Sequence, residues 1–219
     1  MLTVHHLNNS RSQRVLWLLE ELGNPYEIVK YERDPKTSLA PEALQKIHPL
    51  GKSPVVTDGD TVLAESGAIL EYLVETYGGG QFVPKRDSPE YRRYRYYMHY
   101  AEGSLMPFLL LRLIFARVRK APFPVRPIAK AIANKVDAAF IGPNLARHVA
   151  FLDGELAKSR WFAGGELTAA DIQMIYPMEA IAARVPDAPQ RIKDWVARAH
   201  DRPAYKRALD KGGPYSVEP

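Results

Sequence analysis

The chain has 219 residues, 46% of them hydrophobic and 25% charged, with a formal net charge of +5 and no cysteine. These proportions suit a globular protein of one or two domains with a substantial core. The absence of cysteine excludes disulfides, thiolate metal sites, Cys-x-x-Cys redox chemistry and a cysteine nucleophile, and it agrees with a reducing, cytoplasmic setting.

Residues 2–7 read as a first strand, entered directly from Met1, so no signal peptide is expected. Asn8-Asn9-Ser10 is a turn. Val15, Leu16, Leu18, Leu19 and Leu22 then recur with helical spacing, and Gly23 and Pro25 stop that helix. Ser10 lies three residues before Gln13, which is a capping-box pattern. A second strand is expected over 26–31, a loop over 33–41 and a short helix over 41–47. The order is β-α-β, which favours a parallel pair with a right-handed crossover.

The stretch 48–77 carries the densest signals. Val55-Val56-Thr57 and Thr61-Val62-Leu63-Ala64 flank Asp58-Gly59-Asp60, a hairpin signal. Pro54 stands at the start of a strand, where it gives up a ladder donor. A cis Ser53-Pro54 bond would turn the backbone of Ser53 outward as a template for an extended peptide. Glu65-Ser66-Gly67 opens a helix whose face is Ile69, Leu70, Leu73, Val74 and Tyr77. Free N–H groups at that N-terminus, with the Ser66 hydroxyl, suit a carboxylate, and Glu65 suits an ammonium. Together they form a receptor for the α-amino-acid end of a ligand, and Lys52 is a cation for a second carboxylate.

Gly78-Gly79-Gly80 and the residues to Ser88 read as a linker, after which strand signals cease. Long helical regions are expected over 89–119, kinked at Pro107, and over 128–158, interrupted near Gly142-Pro143. Leu167-Thr168-Ala169-Ala170-Asp171-Ile172 starts another helix, with Thr168 and Asp171 as a capping box and Leu167 and Ile172 as its staple. Helices near 188–200 and 203–210 complete the chain. Residues 84–135 hold twelve Lys/Arg against three Asp/Glu. That charge is read as a solvated helical surface, because no nucleic-acid motif accompanies it. No apolar run is long enough for membrane insertion. His5-His6 alternate on a strand and no His-x-x-x-His occurs, so no metal site is expected.

A small α/β domain over 1–80 with a ligand site, followed by an all-α domain over 88–219, resembles the cytosolic glutathione transferase family. Four segments carry the resemblance: residues 9–14 after the first strand, Pro49-Leu50-Gly51-Lys52-Ser53-Pro54, Glu65-Ser66-Gly67-Ala68-Ile69, and Leu167-Thr168-Ala169-Ala170-Asp171. The match covers nearly the whole chain and looks most like the serine-type bacterial and fungal members. The resemblance implies a thioredoxin-like first domain that binds glutathione in extended form. Ser53 would pair its backbone with the cysteinyl part beside cis-Pro54. Glu65 and Ser66 would hold the γ-glutamyl end and Lys52 the glycyl carboxylate, with His48 near the glycyl end. Ser10 would be the catalytic residue, its hydroxyl favouring the glutathione thiolate, with Asn9 and Ser12 as competing donors. Tyr97, Tyr100, Met106 and Phe108 are candidates either to line the site of a small hydrophobic electrophile or to serve as core or dimer-contact residues, and Glu102 is a candidate to reach a partner's glutathione in a homodimer. Transferase, peroxidase and dehalogenase chemistry share the thiolate, and a binding or regulatory protein of the same fold is the alternative.

Overall fold

The computed structural model describes residues 1–213, 215 and 216. The first part contains β1 (Leu2–Leu7), α1 (Gln13–Leu22), β2 (Glu27–Tyr31), α2 (Glu42–Gln45), β3 (Val55–Asp58), β4 (Thr61–Ala64) and α3 (Ser66–Tyr77). The remainder is helical: α4 (Pro89–Tyr100), α5 (Met106–Val118), α6 (Arg126–Val136), α7 (Gly142–Leu156), α8 (Ala169–Arg184), α9 (Gln190–His200) and α10 (Pro203–Gly212).

The four strands form one mixed sheet in the order β2-β1-β3-β4. Val4 in β1 lies beside Ile28 of the parallel strand β2 and beside Val56 of the antiparallel strand β3. The parallel pair needs a crossover, and α1 supplies it. β3 and β4 pair from Asp58 opposite Thr61, leaving a two-residue turn in which Gly59 has φ +56°. Tight hairpin turns demand that positive φ. Gly23 ends α1 at φ +65°, its N–H on the Leu19 carbonyl.

The sequence stripe of α1 predicts one apolar face, yet every residue from Gln13 to Glu20 is buried. The polar side is covered because α8 and α10 pack on it. Trp17 meets Tyr205 of α10 edge-on, with centroids 5.3 Å apart. Glu20 accepts from Arg207 at 2.8 Å and also pairs with Lys211, while Glu21 takes both nitrogens of the Arg202 fork. The C-terminal helix is therefore bound to the first crossover of the sheet domain.

Prolines shape the long helices. The residues between α4 and α5, Ala101–Leu105, form a π turn, and so do Asp137–Ile141 between α6 and α7. Each turn lies just before a proline, Pro107 or Pro143, which has no N–H to give to an i−4 carbonyl. The Met106 N–H reaches Ala101 and the Gly142 N–H reaches Asp137, both i→i−5. The kink expected at Pro107 and the interruption at Gly142-Pro143 thus take the form of π turns within continuous helices.

At the start of α8, Asp171 Oδ2 accepts the Thr168 N–H and hydroxyl, each at 2.9 Å, and Oδ1 accepts the Phe162 N–H at 2.7 Å. Burial nevertheless raises its carboxyl to about 6. The capping box read from sequence is present, with Leu167 and Ile172 both buried.

Candidate active site

A cavity of about 200 Å³ opens beside the loop that leads into β3, and its lining includes Arg11, His48, Lys52, Ser53, Glu65 and Ser66. Lys52 and Arg11 give it two cations, and Glu65 one anion. Pro54 also lines it; the Ser53-Pro54 bond is cis and immediately precedes β3, where no ladder donor is lost. Ser66 is the first residue of α3. Glu65 has φ +70° and ψ 118°, a conformation that costs a non-glycine residue about 1–3 kcal/mol. His48 accepts the Leu50 N–H on Nδ1 at 3.4 Å. The six residues that the sequence suggested around 48–66 are therefore brought together. Arg11 joins them unforeseen.

Behind the cavity lies Arg14, 1% exposed. Its Nη1 donates to Ser66 Oγ at 3.1 Å, Glu102 Oε1 at 2.6 Å and Gln173 Oε1 at 3.0 Å. Those acceptors come from α3, the π turn after α4, and α8, so one guanidinium ties the helical part to the start of α3. Burial lowers the Arg14 pKa, and the Glu102 carboxylate acts against that shift. Glu102 also takes Arg11 at 2.7 Å. Two arginines of its own chain thus engage the Glu102 carboxylate.

Ser10 is 5% exposed and lies next to Ser53, Oγ to Oγ 3.3 Å. Ser53 gives its own hydrogen to the His5 carbonyl at 3.1 Å. Ser12, not Ser10, is the residue at the N-cap of α1, and no side chain caps that helix. The capping box that Ser10 and Gln13 suggest is not formed. Instead Ser10 Oγ accepts the Ser12 N–H at 3.2 Å and lies 2.7 Å from Ser12 Oγ. Ser12 Oγ is in turn 2.8 Å from His6 Nδ1. The imidazole also hydrogen-bonds the backbone of Gly212 at the end of α10, a contact that favours its protonated form. Burial outweighs that contact and, with Lys30, lowers His6 to about 4. Asn9 sits at φ +47° and accepts the Ser216 N–H on Oδ1 at 3.1 Å, so its amide carbonyl faces the C-terminal segment.

Residues 1–75 match the family described as Glutathione S-transferase, N-terminal domain, and residues 126–203 match Glutathione S-transferase, C-terminal domain. The chain belongs to the glutathione S-transferase family. It is 38% identical over 214 residues to Glutathione S-transferase 3 of Schizosaccharomyces pombe, covering 96% of this chain and 88% of that protein. Glutathione S-transferase 1 of Saccharomyces cerevisiae is 34% identical, with 96% and 95% covered. A crystal structure of a glutathione S-transferase from Actinobacillus pleuropneumoniae superposes with a TM-score of 0.80 at 29% identity, over 98% of this chain and 94% of that one. The mixed four-stranded sheet followed by a helical domain is the fold of this family, and glutathione is the family's co-substrate.

Of the two roles open to Tyr97, Tyr100, Met106 and Phe108, packing in the helical part describes them better than lining a cleft. Tyr97 is buried in the helical core, its hydroxyl on Glu155 at 3.1 Å and its ring 4.6 Å from Phe162. Tyr100 bonds His148 at 2.6 Å, Phe108 packs on Phe140 and His148, and Met106 belongs to the core. Tyr97, Tyr100 and Met106 share a core face, and Phe108 is half-buried at its edge. Next to Arg14 stands Tyr176 of α8 instead, its ring 5.5 Å from the guanidinium carbon and stacked on Tyr215 at 6.3 Å. Neither tyrosine belongs to a motif, and only the fold brings Tyr176 onto Arg14. Among the described residues no cluster of three or more His, Asp or Glu could hold a metal ion.

Proposed function

We propose that this chain is a glutathione transferase of the serine type. Glutathione lies extended along the 52–66 cavity. The backbone of Ser53 pairs with the cysteinyl residue, Glu65 and Ser66 hold the γ-glutamyl ammonium and carboxylate, and Lys52 with His48 holds the glycyl carboxylate. Arg11 is a second cation for either carboxylate. Ser10 donates to the cysteinyl sulfur and favours its thiolate, which attacks a small hydrophobic electrophile; the same thiolate can reduce a peroxide.

The observation that carries this reading is the contact of Ser10 with Ser53 at 3.3 Å, beside a cavity whose cations and anion match the two ends of the tripeptide. A free thiol has a pKa near 8.5, so little thiolate exists at neutral pH without help. A hydrogen bond donated to the anion favours it, and so does the nearby start of α1. The electrophile enters between Ser10 and the Tyr176–Tyr215 pair. The boundary between the two domains lies in residues 81–87, the enzyme is cytoplasmic, and it acts as a homodimer.

Conjugation of glutathione to a chloronitrobenzene by wild type and by Ser10→Ala, with glutathione affinity measured by calorimetry, tests this function. Loss of one such donor lowers turnover by roughly 10²-fold, and affinity should hold. The alternative, binding without turnover, is favoured by the engagement of Ser10 with Ser12. It predicts tight binding and no conjugation in wild type.

A further inference from the structure

From Gly103 to Val136 the chain has seven lysines and arginines and no acidic residue. In the fold this stretch forms α5, α6 and the loop between them. Charge alone reads as a solvated surface, but the structure adds apolar side chains to it. Phe123 is 84% exposed, Ile128 67%, Ile132 54% and Val125 52%. Val125, Ile128 and Ile132 follow at i, i+3 and i+7, which makes a stripe along one face of α6, and Lys135 continues it. Within α6 only Ala133 is fully buried. Among the described residues, Arg119 is the one cation of the seven held in an ion pair, to Asp137 at 3.1 Å.

We propose that the α5–α6 tip docks the protein on an anionic phospholipid surface. Phe123, Val125, Ile128 and Ile132 enter the boundary of the acyl chains, and Lys120, Arg126, Lys130 and Lys135 meet the headgroups. Apolar side chains combined with unpaired cations on an exposed helix are the features of an interfacial segment. A second copy of this chain is the poorer occupant. Two-fold pairing sets the patch against itself, and seven cations would face seven with no carboxylate in either stretch. Nucleic acid would satisfy the cations and leave Phe123, Ile128 and Ile132 in water. Among the described residues no helix is long and apolar enough to cross a membrane, so the contact is peripheral.

Flotation of the full chain with vesicles tests the proposal, using phosphatidylcholine alone and phosphatidylcholine with about 30% phosphatidylserine. The expected result is binding to the anionic vesicles at least about tenfold above the neutral ones, weakened by salt. A Phe123→Ser/Ile128→Ser variant and a Lys120→Glu/Lys130→Glu variant should each lose most of that binding while conjugating glutathione as wild type does. Absence of binding to anionic vesicles overturns the proposal. So does full retention by the Phe123→Ser/Ile128→Ser variant, which would mean attraction to any polyanion. A fall in oligomeric state of that variant by light scattering, with vesicle binding unchanged, assigns the patch to a second copy and overturns it equally.

Discussion

The Ser12 hydroxyl lies 2.8 Å from His6 Nδ1. In the tautomer whose Nε2 carries the hydrogen, facing the Gly212 backbone, Nδ1 is bare and takes the Ser12 hydrogen. Ser12 Oγ then offers Ser10 lone pairs at 2.7 Å. Ser53 Oγ, whose hydrogen goes to the His5 carbonyl, accepts from Ser10 at 3.3 Å, so the one Ser10 hydrogen is divided between two acceptors. To donate to a glutathione sulfur, Ser10 must turn its hydrogen from both Ser12 and Ser53, of which Ser12 is the nearer. Ser12→Ala removes that competitor. A hydrogen bond is worth about 0.5–1.5 kcal/mol net, so the pKa of the bound thiol should fall by up to about one unit. The thiolate absorbance of bound glutathione reads this directly. An unchanged or higher pKa would show that Ser12 assists Ser10 instead of restraining it.

His6 also gives the fold a pH dependence. Its folded value of about 4 lies below the 6.5 of an unperturbed imidazole, with burial the main cause. Between those values the unfolded chain binds more protons. Stability is therefore full above pH 6.5 and lost as the pH falls towards 4, by about 2 kcal/mol at pH 5. His6→Asn keeps an acceptor near Nδ1 and cannot titrate. Asp171, raised to about 6, has the opposite sign and loses stability as pH rises through that value. It is common to both proteins and cancels in their difference. Urea unfolding at pH 7 and pH 5 should show wild type losing about 2 kcal/mol more than His6→Asn; equal losses would refute the assignment.

The buried Arg14 and the half-buried Glu102 form a pair that joins the two parts of the chain. Glu102→Gln leaves the buried guanidinium without its carboxylate, and because Glu102 is itself partly exposed the cost should be about 1–3 kcal/mol. Arg14→Lys keeps the charge, but its shorter side chain stops short of the Nη1 position from which Ser66, Glu102 and Gln173 are all held. Under the proposed function that freedom of Ser66 weakens glutathione binding about tenfold, a loss of about 1.4 kcal/mol. Calorimetry checks the affinity, and thermal unfolding checks the stability of both variants.

Gly212 stands where α10 closes on α1. A Cβ there would lie 2.7 Å from Leu16 Cδ1, 2.8 Å from Gln13 Oε1 and 3.3 Å from His6 Cε1. Gly212→Ala must push α10 away or repack α1, at about 1–3 kcal/mol. Denaturant unfolding should show this loss with an unchanged m-value. Stability equal to wild type would mean that the end of α10 yields freely.

The strands, the hairpin turn, the helix stops at Gly23 and the Thr168–Asp171 cap were legible because each depends on neighbours in sequence. So were the cavity residues from His48 to Ser66, which one loop and one helix start deliver together. The rest depends on contacts between distant segments. Arg14 meets Gln173 and Glu102, Glu20 meets Arg207, and His6 meets Gly212, and no local pattern announces such pairs. Tyr97, Tyr100 and Phe108 could not be assigned to cleft or core from sequence, because an apolar face on a helix has the same spacing whether it lines a core or a substrate. The turn at Ser10 shows the reverse case. Its Ser-x-x-Gln pattern suggested a cap, yet α1 begins at Gln13 and Ser10 is left outside it.

The central claim is that Ser10 favours the thiolate of bound glutathione. The most direct measurement is the ultraviolet absorbance of that thiolate, titrated with pH in wild type and in Ser10→Ala. The account predicts a bound thiol pKa about two units below the value near 8.5 of a free thiol, and a return of most of that shift in Ser10→Ala. A wild-type pKa equal to that of free glutathione, or the same depressed value in both proteins, would contradict it.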